Sequence, residues 1–437
     1  MRRPSARTAL CAAFAIMAAS AVAGCGGITA TGSGNSGTLA GPTGKPITIG
    51  FSEPLTGAFQ TDGEASLKGY QLWAADVNSH GGILGRPVKL VYLNNNSDPN
   101  TTTRTYTKLI TQDHVDFVVG PFSTLLTKPA AQVAKQYHRA FVEGSGGGVS
   151  IYTLGYDNLF AVSAPVLDQL APFANWVKSL TGPNRPKTAA YAMVSDPFAD
   201  PPVQFAQGIL QKAGITTVFN DANNAINGGA KPLSPAALTA AIKATAQQVA
   251  AKNPDVVLLG TVDVPSLATF INEFRALKFN PKMIIATSGP DQGQTFLSAV
   301  GNGNSTGIMV PDGWYGNFPD SLNHVMVQEY IAKYGGTAAD INADVAESYS
   351  SGEVLADAIT AVGLSQQKII TYLHSGVVLN TVQGLAQWGR GPGGVNLKSV
   401  NATSIFQWQN GGTRFVKVLP LGGDAVTIRP VKPAWVG

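Results

Sequence analysis

The sequence is poor in the side chains on which catalysis and metal binding depend. Among 437 residues there are two cysteines and five histidines, and the histidines are scattered without metal-ligand spacing. No nucleophile elbow of a hydrolase is predicted, because the single G-x-S-x-G match, GNSTG (303–307), does not directly follow a predicted strand. We therefore predict that the protein is not an enzyme, has no catalytic residues, and uses neither a metal nor a cofactor.

Charged residues are also scarce, at 13% of the chain. The formal net charge is +4, but Arg2, Arg3 and Arg7 belong to an amino-terminal segment without an acidic residue before Cys25. The remainder of the chain is close to neutral and contains no run of lysine and arginine. This excludes the basic surface by which proteins bind nucleic acid, so we predict no nucleic-acid partner.

The amino-terminal residues have the layout of a signal peptide. A basic start is followed by an apolar stretch from about Ala9 to Ala23, which is shorter than the ~20 residues that span a bilayer comfortably. The residues before Cys25, Val22-Ala23-Gly24, resemble a bacterial lipobox, which implies that the Cys25 thiol is lipidated and becomes the mature amino terminus. The alternative is an ordinary cleavage site with an unmodified cysteine.

We predict a signal peptide at residues 1–24, followed at residues 25–45 by the lipidated cysteine and a flexible tether rich in Gly, Ser, Thr and Asn. The protein is then exported and held by its lipid on the outer face of the cell membrane. Because Cys11 is removed with the signal peptide, Cys25 is the single cysteine of the exported chain. An internal disulfide is therefore excluded.

From Pro46 onward, apolar runs of strand length alternate with amphipathic helical patterns. The predicted strands are Ile47–Ser52, Val88–Leu93, Asp116–Gly120, Ala140–Glu143, Thr188–Val194, Asp255–Gly260, Met283–Thr287, Ser404–Gln409 and Arg414–Leu419. The predicted helices are Glu64–Asn78, Thr101–Gln112, Thr127–His138, Leu167–Leu180, Pro202–Ala213, Pro235–Lys252, Pro265–Leu277, Leu322–Tyr334 and Asp344–Val362. This alternation predicts an α/β protein with doubly wound, mainly parallel sheets.

The length of the chain favours two lobes over one core. We predict a first lobe from residues 46–165 and 311–378 and a second lobe from residues 166–310 and 379–437, joined by a multi-strand hinge. Ligands of such sheets bind outside the carboxyl ends of the strands. Two lobes that face each other therefore predict a binding cleft between them.

Glycines, turns and short motifs follow one another in a characteristic order. They are Gly50, Pro54-Leu55-Thr56-Gly57, Gly63, Gly69, Asn78, Gly81-Gly82, Gly85, Asp98-Pro99, FVVGPFST (117–124), LGY (154–156), SGPD (288–291) and IFQWQNGG (405–412). In this order, over essentially the whole chain after Lys45, they resemble the leucine/isoleucine/valine-binding protein family, the type I solute-binding proteins of ABC importers. The resemblance implies the type I periplasmic binding protein fold. It also implies a monomer that captures an amino acid or related small polar solute by lobe closure and delivers it to an ABC permease with its ATPase.

The resemblance also implies where a ligand carboxylate binds. Ser123 and Thr124 precede a predicted helix, and hydroxyls and free amides at a helix amino terminus form an anion site. In the family this place holds the ligand's carboxylate, and Thr124 matches the hydroxyl position. The alternative is that Ser123, Thr124 and Thr127 only cap the helix.

The remaining predicted contacts follow the same resemblance. Ser145 and Gly147 match two residues around the amino-acid head group, although the family's threonine hydroxyl is absent at Gly147. Asp291 matches an acid that pairs with the ligand's ammonium, the alternative being the cap of the following helix. The aromatic lid of the family falls at Asp62, where Phe59 is near enough to substitute.

The sequence leaves two further questions open. Glu143 is either a carboxylate in the cleft or a solvated loop charge. The family assignment itself leaves two rival functions, a ligand-sensing module for a membrane receptor or kinase and a cell-envelope hydrolase on the same fold. The motif GRGPGG (389–394) matches a dinucleotide-binding pattern formally, but no predicted strand precedes it, so we interpret it as a loop.

Overall fold

The computed structural model describes residues 42–221, 226, 233–399 and 403–436. The predicted signal peptide, Cys25 and the tether up to residue 41 lie outside the described residues and stay predictions. In the part of the chain that is described, no helix combines the length and the apolar character needed to cross a membrane.

Strands and helices alternate along most of the chain. The strands are β1 (Ile47–Glu53), β2 (Val88–Asn94), β3 (Phe117–Val119), β4 (Phe141–Glu143), β5 (Leu159–Ala161), β6 (Thr188–Met193), β7 (Thr216–Asn220), β8 (Val256–Gly260), β9 (Met283–Ala286), β10 (Ile308–Asp312), β11 (Leu379–Thr381), β12 (Gly384–Ala386), β13 (Ser404–Gln409) and β14 (Arg414–Leu419). The helices are α1 (Gln60–Ser79), α2 (Pro99–Thr111), α3 (Thr124–Gln136), α4 (Val149–Tyr152), α5 (Ala171–Ser179), α6 (Asp200–Lys212), α7 (Pro235–Lys252), α8 (Val264–Ala276), α9 (Gly293–Val300), α10 (Asn302–Ser305), α11 (Ser321–Tyr334), α12 (Ala343–Val362) and α13 (Gln366–Leu373).

The first sheet has the order β2-β1-β3-β4-β5, and all of its strands are parallel. Helices α1 and α12 cover one face, with Trp73 and Leu355 in a shared core. Helices α2 and α3 cover the other face, with Tyr106 and Val133. Burial on both faces explains why strands such as β3 are apolar throughout. This sheet and its helices form the first lobe.

The second sheet has the order β14-β13-β10-β9-β8-β6-β7. Strands β6 to β10 are parallel, whereas β13 and β14 form an antiparallel hairpin at one edge. Helices α7, α8 and α9 cover one face, and α5 and α6 cover the other. These elements form the second lobe, so the predicted two-lobe α/β architecture is confirmed.

The chain passes between the lobes three times. β5 leads to α5 through residues 163–169, β10 leads through Gly313 to Trp314 in the first core, and Trp388 of that core leads to β13. These crossings are the hinge.

The structure changes two predicted lobe assignments. Strand β10 was not predicted, and it places residues 311–312 in the second sheet instead of the first lobe. The hairpin β11–β12 and Trp388 pack into the first core, against the prediction that the second lobe resumes at residue 379. Apolar Leu379 and Val382 are buried there, which explains why this hairpin stays with the first lobe.

Candidate functional site

A cavity of about 90 Å³ lies where the lobes meet, beside the hinge. Ser163, Val166 and Gln169 of the first crossing line it, together with Gly313 of the second and Thr403 of the third. At ~10–15 Å³ for each enclosed water, this volume holds about six to nine waters. The cavity therefore has room for a solute of about as many non-hydrogen atoms.

The amino terminus of α3 opens on this cavity through Ser123. The Ser123 carbonyl accepts hydrogen bonds from the amides of Leu126 and Thr127, but its side chain makes no capping bond. Ser123 is 1% exposed, and within the described residues its hydroxyl has no hydrogen-bond partner. The capping alternative is therefore wrong for the Ser123 hydroxyl, which faces the cavity unpaired.

Thr124 matches the hydroxyl position of the family, but its hydroxyl is bonded within the protein. Its Oγ1 accepts a hydrogen bond of 3.0 Å from the amide of Gly148, and its side chain does not line the cavity. Thr127 donates to the carbonyl of Pro121 at 3.1 Å. Thr124 thus ties the loop after β4 to α3, and the structure presents Ser123 to the cavity in its place.

The loop after β4 brings Ser145 and Gly147, two of the predicted ligand contacts, to the cavity. Ser145 Oγ donates to Glu347 Oε2 at 2.6 Å and lies 3.3 Å from Asp344 Oδ1. The Gly147 carbonyl accepts from the amide of Val166. A Cβ at Gly147 would lie 2.7 Å from a Val166 methyl, so the close approach of the hinge requires glycine here.

Two buried glutamates hold the cavity loops from behind. Glu143 Oε2 accepts from the amide of Gly146 at 2.6 Å, and Glu53 accepts from the amide of Phe122 at 3.1 Å and from Ser66 Oγ at 2.7 Å. Both glutamates are 0% exposed, and burial raises the pKa of each to about 8. Glu143 is therefore not a solvated charge, and it supports the loop without lining the cavity.

Carboxyl groups from both lobes line the cavity. Asp291 follows β9 and Asp312 ends β10, while Asp344 and Glu347 lie in the first turns of α12. Burial raises the pKa of Asp291 to about 6. Burial, reinforced by neighbouring carboxylates, raises the pKa of Asp312 and Asp344 well above the usual range. No lysine, arginine or histidine stands among the described residues that line the cavity.

Asp291 lines the cavity and does not take the alternative role of a helix cap. Helix α9 begins at Gly293 with Gln292 as its cap residue, so the interpretation of Asp291 as the helix cap is wrong. Its Oδ1 accepts instead from the amide of Gly289 at 2.7 Å. Asp263 of the second lobe caps α8 through a 2.8 Å bond from the Ser266 amide.

Phe59 and Asp62 join the lobes outside the cavity lining. Phe59 packs edge-on against Phe122 with ring centroids 5.6 Å apart, in an apolar cluster that includes Ala199 and Val262 of the second lobe. Asp62 Oδ1 accepts from Gln292 Nε2 of the second lobe at 2.5 Å and from Asn342 Nδ2 at 3.1 Å. These contacts close the lobes on one another beside the cavity.

Four residues that line the cavity were not predicted from the sequence: Asp312, Asp344, Glu347 and Gln169. Asp312 was not predicted because strand β10 was not predicted. The available signal was an acid at the end of an apolar run, which is how Glu143 was identified. The acids of α12 were counted only as part of a helical pattern. Within the described residues, no group of three or more His, Cys, Asp or Glu side chains is arranged to hold a metal ion.

Comparisons with known proteins agree with this arrangement. The sequence profile of a family described as periplasmic binding protein matches residues 46–413. The Leu/Ile/Val-binding protein BraC3 of Rhizobium johnstonii is 24% identical over 374 residues, which cover 84% of this chain and 92% of that protein.

Two solved structures have the same fold. The branched-chain amino acid transporter substrate-binding protein LivJ of Streptococcus pneumoniae, in complex with isoleucine, has a TM-score of 0.69 at 19% identity and covers 85% of this chain and 100% of its own. An ABC-transporter solute-binding protein of R. palustris, in complex with benzoate, has a TM-score of 0.68 at 16% identity and covers 86% of this chain and 96% of its own. At these identities the likeness concerns the fold.

Proposed function

The chain belongs to the periplasmic binding protein family, and from this premise we propose that it captures an amino acid or a related small polar organic solute outside the cytoplasm and delivers it to an ABC permease. The observation that carries the proposal is the cavity at the hinge, since polar groups of both lobes line it. ATP hydrolysis belongs to a partner ATPase in this account, so the protein itself performs no chemistry.

Capture proceeds by lobe closure. A solute that touches both lobes stabilises the closed arrangement through contacts that the open arrangement lacks. We assign Ser123, Ser145 and Gly147 of the first lobe and Asp291 of the second as ligand contacts. Thr124, Glu143, Phe59 and Asp62 act behind or beside the cavity, where they hold its loops and the lobe contact.

A carboxylate on the solute fits the amino terminus of α3. Isoleucine and benzoate, the solutes named for the two similar structures, both carry one. The first turn of a helix presents unpaired amides and a partial positive charge to an anion. The unpartnered hydroxyl of Ser123 at this position supplies a further donor.

Replacing Ser123 by alanine is expected to weaken the binding of a carboxylate solute about tenfold without lowering the melting temperature. The hydroxyl makes no hydrogen bond to the described part of the chain, so its removal costs the free protein little, whereas a hydrogen bond to a charged group contributes ~1.5 kcal/mol or more. Isothermal titration against a panel of amino acids, amides and aromatic acids measures the affinity, and a thermal melt measures the stability.

Thr124→Ala is the matched variant, because it removes a neighbouring hydroxyl that is already paired with the amide of Gly148. We expect this variant to lower the melting temperature by leaving that amide unpaired. An unchanged affinity in Ser123→Ala would contradict the assignment of Ser123 as a contact. Uptake of the bound solute by a strain that lacks the gene tests delivery to a permease.

The proposed lipid anchor is tested at Cys25. Cys25→Ser removes the thiol that carries the lipid, so we expect the protein to move from the membrane fraction to the soluble fraction of the cell envelope. Acyl chains contribute ~0.8 kcal/mol per buried methylene, and more than one chain gives a durable anchor. Fractionation followed by immunoblotting measures the distribution, and membrane retention of Cys25→Ser in high salt would exclude this anchor.

A further inference from the structure

All of the charged side chains in the described cavity lining are acidic. Asp291 and Asp312 approach from the second lobe, and Asp344 and Glu347 from the first. Asp344 is buried and the other three acids are half-buried, and none has a cationic side chain beside it in the described lining. Ser145 Oγ and the amides of Gly289 and Trp314 donate to these acids. Such neutral donors stabilise single oxygens but supply no positive charge.

Three buried polar atoms on residues that line the same cavity have no partner within the described residues. They are Ser123 Oγ, Gln169 Nε2 and Gln383 Nε2, and the residues Ser123 and Gln169 are only 1% and 5% exposed. Buried donors are almost always hydrogen-bonded in folded proteins, so these unpaired atoms at one cavity point to a bound molecule. Since Gln169 Nε2 only donates, that molecule presents at least one acceptor.

The two observations together define what the solute must present. Closing the lobes on a neutral solute leaves every acid of the lining without a positive partner, and burial of an unpaired charge is costly. A single ammonium offsets one of these charges. A second cationic group brings a second acid into an ion pair, and the donors remain for a carboxylate.

We propose that the solute carries at least two positively charged nitrogen groups and one carboxylate on an aliphatic chain, as in a dibasic amino acid. This inference rests on the proposed function and names its solute class. The cavity volume of about 90 Å³ suits a molecule of about six to nine non-hydrogen atoms, which is the size range of a small dibasic amino acid such as ornithine.

The test compares solutes that differ in one charge. The protein, isolated from membranes and freed of solute by partial unfolding and refolding, is titrated with L-lysine, L-ornithine, putrescine, L-norleucine and n-butylamine. L-norleucine is L-lysine without its terminal amine, and n-butylamine is putrescine without one amine. We expect at least a hundredfold tighter binding of the dication in the lysine pair. Tighter binding of putrescine than of lysine or ornithine would overturn the carboxylate requirement.

Neutral variants of the acids test which of them binds the second cationic group of the solute. Asp312→Asn and Glu347→Gln are expected to reduce the ratio of lysine to norleucine affinity, or of putrescine to butylamine affinity, at least tenfold. Because burial raises the pKa of both acids, the same variants are expected to keep or raise the melting temperature of the solute-free protein near neutral pH. Glu64→Gln, an exposed acid on α1, is the control and should change neither ratio.

The outcomes separate this inference from the proposed function. Tight binding of norleucine, leucine or benzoate without binding of any dication would overturn the inference and support the proposed function. Stabilisation by calcium or magnesium ions alone, at the level given by the best dication, would also overturn it. If no small solute in the panel changes the melting temperature or releases heat, the proposed function fails as well.

Discussion

Replacing Gly148 by valine is expected to weaken solute binding at least a hundredfold while the protein stays folded. Gly148 directly precedes α4 at the lobe contact, and a Cβ there would lie 2.7 Å from the carbonyl oxygen of Pro197 in the second lobe. That distance is far inside van der Waals contact, so the lobes cannot close around the added side chain. A hundredfold loss corresponds to about 2.7 kcal/mol. Titration with the solute that gives the largest melting shift measures it.

Two further variants show whether the loss comes from the lobe contact. The added Cβ would also lie 2.5 Å from the Thr124 methyl within the first lobe, and Thr124→Ser removes that methyl while it keeps the hydroxyl bonded to Gly148. We therefore expect Gly148→Val with Thr124→Ser to regain stability but not affinity. Gly208→Ala, where a Cβ meets open space, should bind as the parent does.

Small-angle scattering provides an independent readout of closure. The parent protein should become more compact when its solute is added, whereas Gly148→Val should keep the larger radius of gyration of the open arrangement. A variant that still contracts and binds with the parent's affinity would show that Pro197 does not approach Gly148 in the bound state. In that case closure would not be the basis of capture.

The fold was predictable because most of its elements carry local signals. Helix α7 occupies the predicted Pro235–Lys252, where Ser234 caps the helix and proline begins it. The hairpin β13–β14 turns at Asn410, Gly411 and Gly412, which all have positive φ. Such signals depend on a few adjacent residues and do not require knowledge of the tertiary structure.

Two of the missed strands are short or atypical. β5 has three residues, and β10 includes Pro311, a residue that counts against a strand in sequence reasoning. Pro311 is tolerated because β10 pairs with β9 only at Ile308 and Met309, so Pro311 lies beyond that ladder. Because β10 was not predicted, residues 311 and 312 were assigned to the first lobe. Asp312 was therefore not considered as a residue of the site.

The site was predictable only as far as the family pattern reaches. Ser123, Ser145, Gly147 and Asp291 follow motifs, and they line the cavity. Which hydroxyl is free could not be inferred, because Thr124 becomes occupied only when the loop bearing Gly148 packs on α3. The acids of α12 lie more than 190 residues from Ser145 along the chain, and only the fold brings them to the cavity.

Glu53 and Glu143 make the stability of the solute-free protein depend on pH in a definite direction. Burial raises the pKa of each from 4.5 to about 8. Between these values the folded state holds a proton that the unfolded state has released, so the stability is fully present below about pH 4.5 and falls as the pH rises towards 8. Asp196 and Asp221, with pKa values raised to about 7 by burial, act in the same direction.

We therefore expect the melting temperature of the solute-free protein to fall by at least about 5 °C between pH 5 and pH 8, since each retained proton lowers the free energy of unfolding by ~1.4 kcal/mol per pH unit. Glutamine copies a protonated glutamate, and it can accept from the amides of Phe122 and Gly146 as the acids do. The double variant Glu53→Gln with Glu143→Gln should therefore melt at a temperature that depends less on pH, while the exposed Glu64→Gln keeps the parent's slope. Thermal melts at half-unit pH steps measure both slopes. A melting temperature that rises towards pH 8 in the parent would show that these two carboxyl groups are ionised in the folded protein, and that the loops lining the cavity rest on buried charge.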